Sequence, residues 1–255
     1  MNAIFITVRT RSTRLHAKCL LTIVGKLAIE HVIERAKKTK ADKVVLCTTA
    51  FYEDFVLVNI AEKHGILSHR GHMTDKLARW QRAAERFKVD FFVTFDGDDI
   101  LCDPSLADLA FDQYEKTNAD FIHAPNVPCG AFTYGIKVSA LNTVCKIKGS
   151  EDTEMMVPYF TETNLFKCEE LQNVPIVLQR PEIRMTMDYR DDLEFFRTVY
   201  GYFDGREFKL EDVIRYLDEN PKVMEINSYL QEKYLANQKN LTRMILKNEG
   251  SACSL

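Results

Sequence analysis

Apolar runs and amphipathic stretches alternate along the first half of the chain. Residues 3–8, 43–48 and 91–95 are short runs rich in Val, Ile and Phe, and residues 28–37, 52–64 and 104–116 follow them with helical spacing. Strand and helix in this alternation predict an α/β fold with a mostly parallel sheet flanked by helices. A further helix is predicted over 73–87, where Leu77, Trp80, Ala84 and Phe87 fall on one face. Asp103-Pro104 reads as an N-cap followed by proline at the first helical position.

After residue 123 the pattern loosens. Pro125, Pro128 and Gly130 mark a loop, and 132–138 has the composition of a strand. Residues 125–180 are therefore expected as a small subdomain or dimerisation excursion within one domain spanning 1–255. Segments 175–179 and 184–187 read as strands returning to the sheet, and 191–202 restores the helical pattern. Apolar residues at 230, 234, 241 and 245 predict an amphipathic C-terminal docking helix over 229–247.

Composition narrows the class. With 46% hydrophobic and 28% charged residues in 255, the chain can bury a real core and is too apolar to be disordered. A net charge of −3 gives no general attraction to nucleic acid. The seven cysteines are odd in number and never in a CxxC pair, which predicts reduced thiols and a cytoplasmic protein. The six-residue apolar run at the N-terminus has no charged segment before it and is too short for a signal peptide or a membrane span, so no membrane insertion is expected.

Three segments carry candidate chemistry. Arg9, Arg11, Arg14 and Lys18 place four permanent cations just after the first predicted strand, where ligands of open α/β sheets bind and where phosphates are readily held. The strand at 91–95 runs into Asp96-Gly97-Asp98-Asp99. Hard oxygen ligands beside a glycine suit Mg²⁺ shared with substrate phosphates, whereas capping the helix at Pro104 needs only one acid. Asp188 ends a short extended run before Asp191-Asp192, and two readings stay open for it: second metal ligand, or N-cap of the following helix. His64, His69 and His72 match no tight zinc spacing, Trp80 and Phe87 read as core, and neither a GxSxG motif nor a Walker A loop is present.

Arg9-x-x-Ser12-Thr13-Arg14-Leu15-x-x-Lys18, followed by Leu20 and Gly25-Lys26, resembles the opening signature of the cytidylyltransferases that activate sugar acids. These are the CMP-KDO and CMP-sialic acid synthetases, with the spore-coat polysaccharide SpsF-like branch. Gly97-Asp98 with Asp103-Pro104 is similar to that branch's metal-binding turn, and Met187-Asp188-Tyr189-x-x-Asp192-Leu193 to its second acidic motif. Residues 43–49 and 154–160 are also SpsF-like.

The resemblance implies a Rossmann-like nucleotidyltransferase of the GT-A type, usually dimeric, that binds CTP and Mg²⁺ and passes CMP to a small sugar-like acceptor. Arg9, Ser12, Arg14 and Lys18 would face the triphosphate, and Asp98 and Asp188 would hold the metal. Thr48, Thr74 and Lys76 would line the nucleobase pocket. Arg9, Lys18 and Asp98 would carry catalysis, as an acceptor oxygen attacks the α-phosphorus in line and expels pyrophosphate. Four positions depart from the relatives: Arg11 replaces glycine or alanine, His16 replaces proline, Lys76 replaces arginine and Asp96 replaces glutamine. Asp96 would repel a carboxylate acceptor unless a metal or Arg11 compensates, which favours an amino-sugar, an uncharged hydroxyl or a phosphate; the other reading is that Asp96 is itself a metal ligand or a carboxylate beside the metal. Two rivals remain at this level: a GT-A glycosyltransferase using Asp96-Gly97-Asp98 as a DxD motif, and a catalytically silent nucleotide-binding subunit.

Overall fold

The computed structural model describes residues 1–241 and 244–247. In chain order the strands are β1 (Asn2–Thr7), β2 (Thr22–Ile23), β3 (Lys26–Leu27), β4 (Lys43–Thr49), β5 (Leu67–Gly71), β6 (Phe91–Asp96), β7 (Phe121–His123), β8 (Tyr134–Lys137) and β9 (Cys168–Glu170). The helices are α1 (Ala28–Ala36), α2 (Phe55–Lys63), α3 (Lys76–Phe87), α4 (Pro104–Thr117), α5 (Val138–Ile147), α6 (Val157–Thr161), α7 (Arg190–Phe203), α8 (Leu210–Glu219), α9 (Pro221–Glu225) and α10 (Leu230–Leu241). Seven strands form one sheet in the order β5-β4-β1-β6-β8-β7-β9, with β2 and β3 a separate hairpin. Within the large sheet only β8 runs antiparallel to its neighbours.

Side-chain alternation divides the sheet into two apolar faces. Ile4, Ile6, Leu46, Val93 and Phe95 point into one cluster with α1, α4 and α7, while Ala3, Phe5, Val45 and Phe92 meet Leu77, Trp80 and Ala84 of α3 on the other. Both faces are covered, which is why the central strands read as nearly continuous apolar runs. Phe5 stacks on Phe92 at 4.3 Å, and Trp80 anchors α3 to β1 by donating its indole N–H to Thr7 Oγ1 at 2.8 Å.

Helix starts follow side-chain chemistry. Asp103 accepts from the backbone N–H groups of Ser105 and Leu106, with Pro104 in the first turn of α4. Asp75 caps α3 through Ala78 N at 3.0 Å. Lys88 and Asn118 end α3 and α4 in the left-handed conformation.

Four expectations from the sequence change. Residues 125–180, expected as a subdomain or dimerisation excursion, place β8 and β9 in the main sheet, because Tyr134–Lys137 pairs between β6 and β7. Residues 175–179 are not a strand but contain a short 3-10 turn, Ile176–Leu178, opened by Pro175. Residues 184–187 are extended yet form only a bridge from Arg184 to Cys129, since their backbone is spent on Cys129 and on Asp98, whose carbonyl accepts from Met187 N at 2.9 Å. The C-terminal helix ends at Leu241, and Leu246 instead bridges to Lys148; residues 242 and 243 lie outside the described residues. Strand β5, with sequence LSHRG, has no apolar run to announce it: it is an edge strand paired only with β4.

Candidate active site

The site lies beyond the C-terminal ends of β1 and β6, adjacent parallel strands that release their loops side by side. Gly97, just past β6, donates to Thr7 O at 2.8 Å, and a Cβ there would meet Val8 Cγ2 at 2.6 Å. Only glycine lets the two loops approach this closely. The β1 loop is tied to β4 by Thr10, whose N–H and hydroxyl both donate to Asp54 Oδ1 at 2.7 Å, while Thr49 holds the other carboxylate oxygen. Ala17 then takes a left-handed conformation (φ 47°) and swings the chain into a short turn that carries Lys18 inward.

Lys18 is the hub. Its ammonium donates to Asp98 and, at 2.7 Å, to Asp188 Oδ1, which also accepts from Arg14 Nη2 at 2.6 Å. Asp188, 1% exposed, faces Arg184 Nη2 at 3.5 Å. Arg184 forms a two-pronged pair with Asp192, at 2.8 and 3.0 Å. Asp192 Oδ2 accepts the backbone N–H groups of Asp188 and Tyr189 at 2.8 and 2.9 Å, and its Oδ1 accepts from Asn227 Nδ2 at 3.0 Å. The start of α7 is therefore capped by Asp192, which removes the capping reading of Asp188 and frees its carboxylate for the cleft.

Electrostatics follow the pairing. Burial works against the charge on Lys18, but Asp98 and Asp188 raise its proton affinity above the ordinary lysine value. Burial alone would raise Asp98; the Lys18 ammonium holds it below the usual carboxylate range. Asp96 is pushed up to about 6 by burial, against the pull of Lys76. Burial raises Asp99 well above the ordinary value, with Asp98 and Asp96 adding to the effect.

A cleft of about 710 Å³ collects most of the residues singled out in the sequence: Arg9, Ser12, Arg14, Lys18, Lys76, Asp98 and Asp188 all line it. Ser12 spends its hydroxyl on Leu15 O. Arg9 stands apart from the Lys18 hub, pairing with Glu154 at 3.3 Å. Thr48 and Thr74 do not line the cleft, because Thr48 is fully buried in β4 and Thr74 lies exposed ahead of α3. Arg11 neither grips the Lys18 hub nor offsets Asp96: its guanidinium pairs with Glu53 at 3.1 Å and lies 3.8 Å from the centre of the Phe51 ring. His16 is exposed. His64 is engaged by Glu30, His72 accepts from Asp75 N, and His69 sits in β5, so the three histidines converge on nothing.

Sequence reasoning missed Arg184, Glu154, Arg79 and the wall contributed by α10 through Gln231 and Tyr234. Asp192 was visible as part of an acidic motif; Arg184 had no local signal, because its partners lie on α7 and α10. Among the described residues no group of three or more His, Cys, Asp or Glu is arranged to hold a metal. The donor set is the pair Asp98 and Asp188, converging on one ammonium. A pair of carboxylates suits Mg²⁺, which keeps several waters and takes further oxygens from phosphates. Among the described residues no helix is long and apolar enough to cross a membrane.

A mostly parallel, helix-covered sheet with a cation loop after β1 and carboxylates after β6 defines a Rossmann-like nucleotidyltransferase fold. A family model described as cytidylyltransferase matches residues 3–242, and the chain belongs to that family. An uncharacterized protein of Methanocaldococcus jannaschii is 31% identical over 231 residues, covering 89% of this chain and 95% of its own length. The 3-deoxy-manno-octulosonate cytidylyltransferase of Psychromonas ingrahamii is 26% identical over 64% of this chain and 62% of that enzyme. Among solved structures, a cytidylyltransferase from Leptospira borgpetersenii superposes with a TM-score of 0.81 at 28% identity, covering 88% of this chain and 96% of that one. A CMP:2-keto-3-deoxy-manno-octonic acid synthetase complexed with CTP shares the fold, at a TM-score of 0.61 and 16% identity over 79% of this chain and 98% of that one.

Proposed function

We propose that this protein transfers CMP from CTP to a sugar acid or related sugar-like acceptor, releasing pyrophosphate, in the synthesis of a surface polysaccharide or glycoconjugate. The observation that carries this reading is the Lys18 hub, where the cation loop of β1 meets the acid that follows β6 and the acid that precedes α7 at one point. Separate segments have no structural need to converge two cations and two carboxylates on an open cleft; a metal-bound triphosphate does need both.

In this reading Arg14 and Lys18 exchange their carboxylate partners for phosphate oxygens and stabilise the charge that grows on the departing pyrophosphate. Asp98 and Asp188 would hold Mg²⁺, which when bound polarises the α-phosphate and lowers the pKa of the acceptor hydroxyl. The acceptor oxygen forms a bond to the α-phosphorus as the bond to the β-phosphate oxygen breaks, and the hydroxyl proton passes to solvent. No histidine base is assigned. Arg184 and Asp192 act through Asp188, holding its carboxylate toward the cleft. A homodimer is the assembly this reading implies, to be checked by sedimentation.

The test is a pyrophosphate-release screen crossing the four nucleoside triphosphates with ulosonic acids, amino-sugar acids and phosphorylated polyols, each with and without Mg²⁺. Acceptor-dependent release with CTP and Mg²⁺ is expected. Release confined to another triphosphate, or equal release without any acceptor, overturns the reading.

A further inference from the structure

A second charge cluster lines the same cleft. Arg9 comes from the loop after β1, Lys76 and Arg79 from the first turn of α3, and Glu154 from the irregular segment ahead of α6. The Glu154 carboxylate reaches Arg9 Nη2 at 3.3 Å and Lys76 Nζ at 4.0 Å. Arg79 adds a third positive charge acting on the same carboxylate. Three cations thus act on Glu154, Lys76 being drawn toward Asp96 and Asp98 as well, and one of the three is not satisfied. Arg79 is 2% exposed and donates from Nη1 to His72 O at 2.7 Å, yet its buried Nε has no acceptor. Buried polar groups nearly always find a partner, so a spare guanidinium donor on a residue that lines the cleft with Arg9 and Lys76 marks a place for an anion.

Glu154 is the replaceable member. Its side chain is 46% exposed and makes two loose ion pairs. The backbone beside it is pinned by Thr153, whose hydroxyl donates to Asp75 Oδ1 at 2.9 Å and accepts from Leu77 N at 3.1 Å. Only the Glu154 side chain has to turn away for the cations to be released.

We propose that Glu154 is an exchangeable counter-anion, which neutralises Arg9 and Lys76 in the free protein and is displaced when substrate phosphates bind there, with Arg79 completing the site. The identity of the anion rests on the nucleotidyl-transfer reading; the exchange itself does not. At the Lys18 hub a metal would compensate the carboxylates that lose their cations, whereas Glu154 turns into water.

Inorganic triphosphate is the probe, titrated calorimetrically into the full chain at low salt. Glu154→Gln and Glu154→Ala are expected to bind it about fivefold more tightly than the wild type, with a parallel fall in KM for CTP. Arg79→Met is expected to weaken binding about tenfold. Arg79 is buried and its replacement also tests folding; Glu154 is half exposed, so its two variants carry the test alone. Unchanged affinity in both overturns the proposal, as does absence of triphosphate binding to either variant. Weaker binding overturns it in favour of a positioning role that holds Arg9 and Lys76 in place. Tighter triphosphate binding without pyrophosphate release from any nucleotide leaves the counter-anion standing and removes the nucleotidyl-transfer reading. CTP turnover with untightened Glu154 variants does the opposite.

Discussion

The two charge clusters of the cleft are built from the same residue types and are held differently. Around Lys18, Asp188 and Asp192, each carboxylate is nearly inaccessible and receives several donors at hydrogen-bonding distance. Around Glu154 the pairs are longer, the Glu154 and Arg9 side chains are about half exposed although Lys76 is buried, and a buried donor is left over. Buried pairs lose their hydration and are stable only when every lone pair is satisfied; exposed pairs keep theirs and exchange partners cheaply. One cluster therefore defines a fixed geometry, and the other a place where a ligand competes with a side chain.

The largest effect is expected at the deepest point of the fixed cluster. Asp192→Ala leaves the Arg184 guanidinium, 1% exposed, without its two-pronged partner and uncaps α7. It should lower stability by about 3–5 kcal/mol, read by denaturant unfolding. A loss under about 1 kcal/mol would erase the distinction between the clusters. Asp98→Ala comes next: removing one preorganised contact costs on the order of 3 kcal/mol in the barrier, roughly a hundredfold in kcat. Near-normal Mg²⁺-dependent turnover in that variant sinks the metal assignment.

A smaller effect separates cleft electrostatics from those of the scaffold. Hydrogen bonds from His64 and Lys63 lower Glu30 from 4.5 to about 2. Its folded-state pKa is depressed, so the stability it contributes is complete above about pH 4.5 and is lost as pH falls toward 2. Glu30→Gln should flatten the acid limb of the stability curve and cost about 1–2 kcal/mol at pH 7. An unchanged acid limb would place the acid sensitivity elsewhere, the cleft included. The smallest effect is expected at Arg11, whose partners Glu53 and Phe51 lie outside the Lys18 hub. Arg11→Ala should change KM for CTP by less than about threefold, as replacing an exposed ion pair usually does. A change of tenfold or more would make Arg11 part of the nucleotide-contacting set of the proposed function.

How much of the site could be read in the chain depended on whether a residue's role was local. Asp103 and Pro104 announce α4 because a cap and a first-turn proline act within three residues. Arg14, Lys18, Asp98 and Asp188 were legible because cations and acids clustered at strand ends or before a helix have few structural uses. Thr48 and Thr74 were placed at the cleft by position in a motif alone. The side-chain alternation of β4 buries the first, and the approach to α3 exposes the second. Arg11 was undecidable, since a long side chain reaches whatever the fold presents, and Phe51 and Glu53 enter its range only when β4 lies beside β1.

Periodicity and local chemistry by themselves determined the α/β rhythm, the central strands, most helices, and the cationic and acidic ends of the cleft. Both are short-range: burial on two faces writes continuous apolar runs, and caps and charged loops act on their immediate neighbours. Tertiary structure alone decided that 134–137 is a strand inside the main sheet, that Asp192 and not Asp188 caps α7, and that Arg184 backs the acid centre. It also decided that Glu154 faces Arg9 across 145 positions of sequence. Long-range ion pairs leave no periodic trace, because distance in the folded chain, and not separation along it, sets their energy.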